Sequence, residues 1–309
     1  MIPALLPYPA IDPILVQLGP LAIRWYAISY IAGLLFGWWA ASRTTRERGL
    51  WTNPTFAGKA PITAEQIGDL VVWATFGVIL GGRLGWILFY GIALCAASPE
   101  TAMCHVAGGP PLPLGFLYHP MHLITIWEGG MSFHGGLAGV AVAIWLFCRK
   151  NKLQLFPVAD MIAVVAPIGL FFGRIANFVN GELWGKPTDV PWAMVFCNKY
   201  IEAIHGVCPA GPIARHPSQL YEAFLEGLVL FAILQVALRV YKANERPGLL
   251  TGLFFAGYGV FRFVVEFWRE PDGPFIGWFS MGMALSIPLW IAAGYFLWAA
   301  LKPHANGRA

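Results

Sequence analysis

The stretch Gly173-Arg174-Ile175-Ala176-Asn177-Phe178-Val179-Asn180-Gly181-Glu182-Leu183-Trp184-Gly185 closes an apolar run that begins near residue 157. A helix needs about 20 mostly apolar residues to cross a bilayer. This run has that length and ends in an arginine, two asparagines and a glutamate. A charge inside lipid costs roughly 2.5–3.5 kcal/mol on insertion scales, so ionisable groups placed there are functional candidates. The stretch reads as the polar end of a membrane-crossing helix and sets the expected fold class, an all-α integral membrane protein.

Working outward, comparable apolar runs lie near 22–42, 67–92, 131–148, 219–238, 249–268 and 278–300. With 157–179 they predict seven transmembrane helices in one membrane domain over 1–309. Composition agrees. Of 309 residues, 58% are hydrophobic and 12% charged, against about 25% charged in soluble domains. Trp and Gly are abundant, as expected where aromatics anchor at interfaces and small residues let helices approach. No basic stretch interleaved with aromatics is present, so nucleic acid is not an expected partner.

Basic residues orient the bundle. Arg43, Arg46, Arg48, Lys59, Arg149, Lys150, Lys152, Arg239, Lys242, Arg246, Lys302 and Arg308 fall in alternate connections and the tail. The opposite side holds Arg24, Lys186, Lys199, Arg215 and Arg269. The positive-inside rule then puts the N-terminus outside and the C-terminus in the cytoplasm. Two outside connections are long: a loop over 95–129 and a small extracytoplasmic head over 180–217. The N-terminus has no positive n-region and carries Pro3, Pro7, Pro9 and Pro13. No cleavable signal peptide is expected, and residues 1–20 read as irregular or surface-lying. Cys95 and Cys104 share one outside loop, Cys197 and Cys208 the other. Either pair could be a disulfide in an oxidising compartment, or all four could be free thiols. Cys148 reads as a packing residue.

This orientation places Tyr26, Arg83, His134, Arg174, Asn177, Glu222, Tyr258, Arg262 and Glu266 toward the outer side. Tyr258, Arg262, Glu266 and Arg269 fall at i, i+4, i+8 and i+11, one stripe of one helix. Glu222 and Glu226 share a face, and Arg262 and Glu266 are spaced for an i,i+4 pair. Each residue also has a plainer reading. Tyr26 and Tyr258 could be belt aromatics, Arg83 could pair structurally with a glutamate of the fifth span, and His134 could bond only to nearby backbone. Asp69 and Asp160 read as caps or interface anchors. Arg174 and Arg262 need anionic partners at that depth. Glu222 and Glu266 could supply them in a purely structural network. The chemical alternative is that the two guanidinium forks hold a lipid phosphate.

The opening stretch resembles the signature of bacterial prolipoprotein diacylglyceryl transferases. Four further blocks resemble the same family: Ile23-Arg24-Trp25-Tyr26, the glycine-flanked stretch Gly129 to Gly136, Arg215-His216-Pro217-Ser218-Gln219-Leu220-Tyr221-Glu222, and Gly257 to Arg269. The resemblance runs in order from about residue 11 to 300. It implies transfer of the diacylglyceryl group of phosphatidylglycerol to the lipobox cysteine of a prolipoprotein, in the bacterial plasma (inner) membrane. It also implies a periplasmic-side site at Tyr26, His134, Arg174, Asn177, Glu182, Gly185, Tyr258, Arg262 and Glu266. Arg83 and Asn180 join the substrate-binding candidates. The connection from Cys95 to Trp127 is longer than the family's usual one, which bears on the periplasmic entrance.

The expected chemistry needs a base for the substrate thiol. His134 is the candidate, with Glu266 the alternative base or the residue orienting Arg262. Arg174 and Arg262 would stabilise the leaving phosphate; Asn177, Asn180 and Tyr26 would position the lipid. No metal or cofactor is expected. The competing reading is a non-enzymatic membrane protein that binds or moves lipid.

Overall fold

The computed structural model describes residues 6–19, 21–54, 56–91, 130–271 and 279–302. The predicted loop over 95–129, with Cys95 and Cys104, lies outside the described residues. Helices dominate: α1 (Trp25–Arg46), α2 (Ala64–Gly85), α3 (Phe133–Lys150), α4 (Leu155–Asn180), the short α5 (Lys199–His205), α6 (Ser218–Arg239), α7 (Leu249–Val265) and α8 (Met281–Leu301). Among the described residues, four helical stretches are long and apolar enough to cross a membrane: Ala64–Leu88, Leu155–Asn180, Ser218–Arg239 and Gly282–Leu301. Large apolar side chains stand exposed along the helices, including Phe76, Leu80 and Leu84 on α2 and Leu34, Leu35 and Phe36 on α1. Such apolar surface is rare on soluble monomers and marks a membrane face.

The N-terminal segment is more ordered than its prolines suggest. Ile14–Leu18 (β1) and Leu21–Arg24 (β2) form an antiparallel hairpin. Gly19 sits in the tight connection at φ +59°. The first helix therefore starts at Trp25, not at residue 22.

The described residues form two compact units: Ile62–Leu155, and the remainder. In the first, Thr63 and Gln66 form a reciprocal capping box at the start of α2. The α2–α3 contact is made of glycines. A Cβ on Gly77 would come within 2.7 Å of the Gly139 oxygen, and one on Gly85 within 2.6 Å of the Gly135 Cα. Only residues without a Cβ let two backbones meet this closely.

In the other unit, α1 meets α4 where Gly33 faces Gly169, beside the stacked rings of Phe36 and Phe172. Asp160 is a cap, though of another helix. Its carboxylate, on α4, accepts from the Gly248 and Thr251 amides (both 2.7 Å) and the Thr251 hydroxyl (2.6 Å) at the start of α7. Those amides lack partners within their own helix. Residues between α4 and α6 fold around a small core of Tyr8, Phe196, Ile201 and Ala210. Cys197 and Cys208 are joined there as a disulfide, with Cα atoms 5.4 Å apart. Cys148 is a buried free thiol of α3.

Candidate functional site

Three arginines and three glutamates interlock where α4, α6 and α7 meet. Arg174, on α4, reaches Glu226 through Nε and Nη2 (3.3 and 3.2 Å) and Glu222 through Nη1 (3.3 Å). Arg262, on α7, uses Nη1 for both Glu222 (2.8 Å) and Glu266 (2.9 Å). Arg269, just beyond α7, binds Glu222 at 2.8 Å. The Glu222 and Glu226 side chains are fully buried, while Arg174 and Arg262 keep 16% and 15% of their side-chain surface. Burial of this kind demands pairing, because an isolated ion would lose several kcal/mol of solvation. The remaining exposure of Arg174 and Arg262 is where a ligand can reach the guanidinium groups.

Sequence spacing foretold part of this cluster. Arg262 and Glu266 do pair at i,i+4. Glu222, Glu226 and Arg269 were missing from the candidate site residues. Their signals were the shared face of the two glutamates and the i+11 place of Arg269 on the Tyr258 stripe. Arg269, counted with the outer flank by charge, is 3% exposed. The helix opens into a π-helical turn over Ala223–Val229, a geometry frequent at functional sites. Here Gly227 lets Phe171 of α4 approach the α6 backbone.

The turn after α4 is built by the other signature residues. Asn177 and Asn180 both donate to Glu182 Oε1, at 2.8 and 3.4 Å. Gln219 Nε2 donates to the Glu182 carbonyl (2.6 Å) and the Ser218 hydroxyl to that of Leu183 (3.0 Å). The Tyr8 hydroxyl donates to the carbonyls of Phe178 and Val179. Burial, and then the charge of Glu182, push the Tyr8 phenol above its ordinary value. Gly185 donates its amide to the His216 carbonyl at 2.9 Å. A Cβ on Gly185 would stand 2.6 Å from both His216 Cβ and the Trp268 oxygen. Asn177, Asn180, Glu182 and Gly185 thus fix the backbone beside the arginines.

Tyr258 is within electrostatic range of Glu226, Arg174, Arg262 and Glu222. Tyr26 shares a hydroxyl contact of 3.1 Å with Tyr30 and lies within range of Glu182 and Arg174. Arg83 and His134 belong to the other compact unit. Arg83 is buried, donates to the Gly130 carbonyl at 3.0 Å and lies over the Trp86 ring. His134 is exposed in the first turn of α3, which Ser132 caps by accepting from the Gly135 amide. Gly135, next to it, packs against the backbone of Gly81 and Gly85.

An open apolar cleft of about 430 Å³ runs along the same turns of α6 and α7, with Trp192, His216, Tyr221, Phe224 and Trp268 among its walls. The Trp192 indole donates to the Tyr221 hydroxyl (2.6 Å), which lies 3.1 Å from His216 Nδ1. Burial pushes the His216 ring below its usual value, toward the neutral form. Among the described residues, no group of three or more His, Cys, Asp or Glu is placed to hold a metal.

The sequence profile described as prolipoprotein diacylglyceryl transferase matches residues 13–299. The chain belongs to the prolipoprotein diacylglyceryl transferase family. It is similar to the phosphatidylglycerol--prolipoprotein diacylglyceryl transferase of Agrobacterium fabrum, 48% identical over 306 residues that cover 98% of this chain and 95% of that one. The enzyme of the same name from Phenylobacterium zucineum is 46% identical over 301 residues, 96% of this chain and 95% of its own. That of Caulobacter vibrioides is 48% identical over 306 residues, 96% and 95%. In this diacylglyceryl transferase family member the matched span contains every arginine and glutamate of the cluster.

Proposed function

We propose that this chain transfers the diacylglyceryl group of phosphatidylglycerol to the lipobox cysteine of a prolipoprotein, forming a thioether and releasing glycerol phosphate. Family membership over nearly the whole chain carries this reading. In the reaction the cysteine sulfur bonds to the glycerol carbon, the carbon–oxygen bond breaks, and its electron pair leaves on the phosphate. Arg174 and Arg262 receive the phosphodiester. Arg262 is suited to this because it is partly exposed and its contacts of 2.8 and 2.9 Å to Glu222 and Glu266 share one nitrogen, Nη1. A buried arginine aimed where charge develops stabilises the leaving group strongly. His134 takes the thiol proton. Glu266, ion-paired to Arg262, orients that guanidinium. Tyr26, Arg83 and Tyr258 contact the lipid, while Asn177, Asn180, Glu182 and Gly185 hold the wall of the site.

The same reading places the chain in the bacterial inner membrane with seven spans. The N-terminus and the head over 180–217 are periplasmic, as is the loop over 95–129, and the C-terminus is cytoplasmic. The distribution of Lys and Arg supports this orientation. Purified protein incubated with radiolabelled phosphatidylglycerol and a lipobox peptide should yield labelled peptide. Arg174→Ala and Arg262→Ala should each abolish transfer in folded protein, and Lys should replace either poorly because it lacks the planar fork. Binding of lipid without any labelled peptide would instead identify a lipid-binding protein.

A further inference from the structure

The Arg–Glu cluster is balanced before any substrate arrives: Arg174, Arg262 and Arg269 face Glu222, Glu226 and Glu266. A phosphodiester adds one negative charge to this buried group, and the low dielectric there makes an uncompensated charge expensive. The three carboxylates differ in how they would meet it. Glu222 is held by all three arginines. Glu266 is held by Arg262 through Nη1, and Arg262 keeps 15% of its side-chain surface exposed. Among the described residues Glu226 takes its hydrogen bonds from Arg174, through the longer contacts of 3.2 and 3.3 Å to Oε2, with Arg262 in electrostatic range. The Oε1 of Glu226, like Glu222 Oε2 and Glu266 Oε2, is buried without a hydrogen-bond partner among the described residues, but those two oxygens have an arginine within ion-pair distance.

Arg174 is also the arginine that must yield. Each of its three guanidinium nitrogens already touches a carboxylate. Turning toward a phosphate, it weakens its hold on Glu226, whereas Glu222 keeps Arg262 and Arg269. The groups that then face Glu226 are Glu222 on its own helix, Arg174 on α4, and Arg262 and Tyr258 on α7. A carboxyl group in that place, with its main cation turned away, is favoured as the neutral acid.

We infer that Glu226 is the charge-balancing residue of this site, releasing Arg174 to the phospholipid phosphate and taking up one proton as the lipid binds. The inference rests on Arg174 and Arg262 being the phosphate clamp. It makes Glu226 a positioning residue that acts through Arg174. It also makes lipid binding weaken as pH rises, because the bound state holds one proton more than the free state.

The test uses full-length protein in detergent and a short-chain phosphatidylglycerol as probe. Calorimetry in buffers of differing ionisation enthalpy should show uptake of about one proton per lipid bound to the wild type near neutral pH, with affinity falling about tenfold per pH unit where the coupling is complete. Glu226→Gln, which copies the neutral acid, should bind at least as tightly and with that slope lost. Wild-type binding without proton uptake overturns the inference, whether or not the variant folds. A Glu226→Gln protein that keeps the wild-type pH slope overturns it too. Arg262→Ala separates the two layers. Undiminished binding there overturns the clamp itself, whereas lost binding there with an unchanged slope in Glu226→Gln overturns only the role of Glu226.

Discussion

His134, the proposed base for the substrate thiol, is exposed and stands in the first turn of α3. His134→Gln keeps polarity and rough size but cannot take a proton at neutral pH. General-base help is typically worth about 10²–10⁴ in rate, so the variant should lose at least that lower factor in transfer. Raising the assay pH should restore part of the loss, because more of the substrate thiol then ionises unaided. Normal turnover of the variant near neutral pH would move the base elsewhere, with Glu266 the next choice. A large loss without pH rescue would make His134 a binding or structural residue. The other signature residues are read differently at this scale. Asn177 and Asn180, expected to position the lipid, each also donate a side-chain amide to Glu182. Residue type alone does not reveal this, because an asparagine that binds a ligand and one that braces a turn look alike in sequence.

At the scale of elements, the glycines of α2 and α3 set how closely the two helices pack. Gly77, Gly81 and Gly85 recur every fourth residue and therefore share one helix face. A Cβ on Gly139 would meet the backbone oxygen of Gly77 in hard overlap. Backbone cannot swing aside as a side-chain tip can, so the helices must separate. Gly139→Ala should lower stability by about 1–3 kcal/mol, the usual range for overpacking. Thermal unfolding of the detergent-solubilised protein measures this, and an unchanged unfolding temperature would exclude the close contact. Gly169 has open space around its own Cβ position, so Gly169→Ala serves as the matched control and should change little. The helix positions themselves were legible as apolar runs. The partners of each helix were not, since periodicity marks a face without saying what covers it.

At the scale of the whole molecule, the biased distribution of Lys and Arg predicts a cytoplasmic C-terminus and a periplasmic disulfide-bearing head. A reporter fused after Lys302 that folds only in the cytoplasm should be active, and one that needs the periplasm should not. Peptide mass spectrometry without reduction should recover Cys197 linked to Cys208. Alkylation of both thiols before any reduction would exclude the bridge. Replacement of all five cysteines by Ser should leave transfer intact in folded protein, because the reacting thiol belongs to the substrate.

Some of this protein was decided by sequence alone. Apolar run lengths mark the membrane class, the ordered signature blocks mark the family, and the spacing of Arg262 and Glu266 marks an ion pair. These are local properties of the chain, and they survive whatever the helices pack against. The tertiary structure decided the rest. It made Asp160 the cap of α7, because only folding brings α4 beside that helix's unpaired amides. It turned part of the proline-bearing N-terminal segment into a hairpin and drew Arg269, which charge counting put at the outer flank, onto Glu222. Among the described residues it also gave Glu226 one ion pair, to Arg174, while Glu222 has three. The physical reason is common to Asp160, Arg269 and Glu226. A buried polar or charged group must find its complement, and which complement lies within about 3 Å depends on how elements distant in sequence come together.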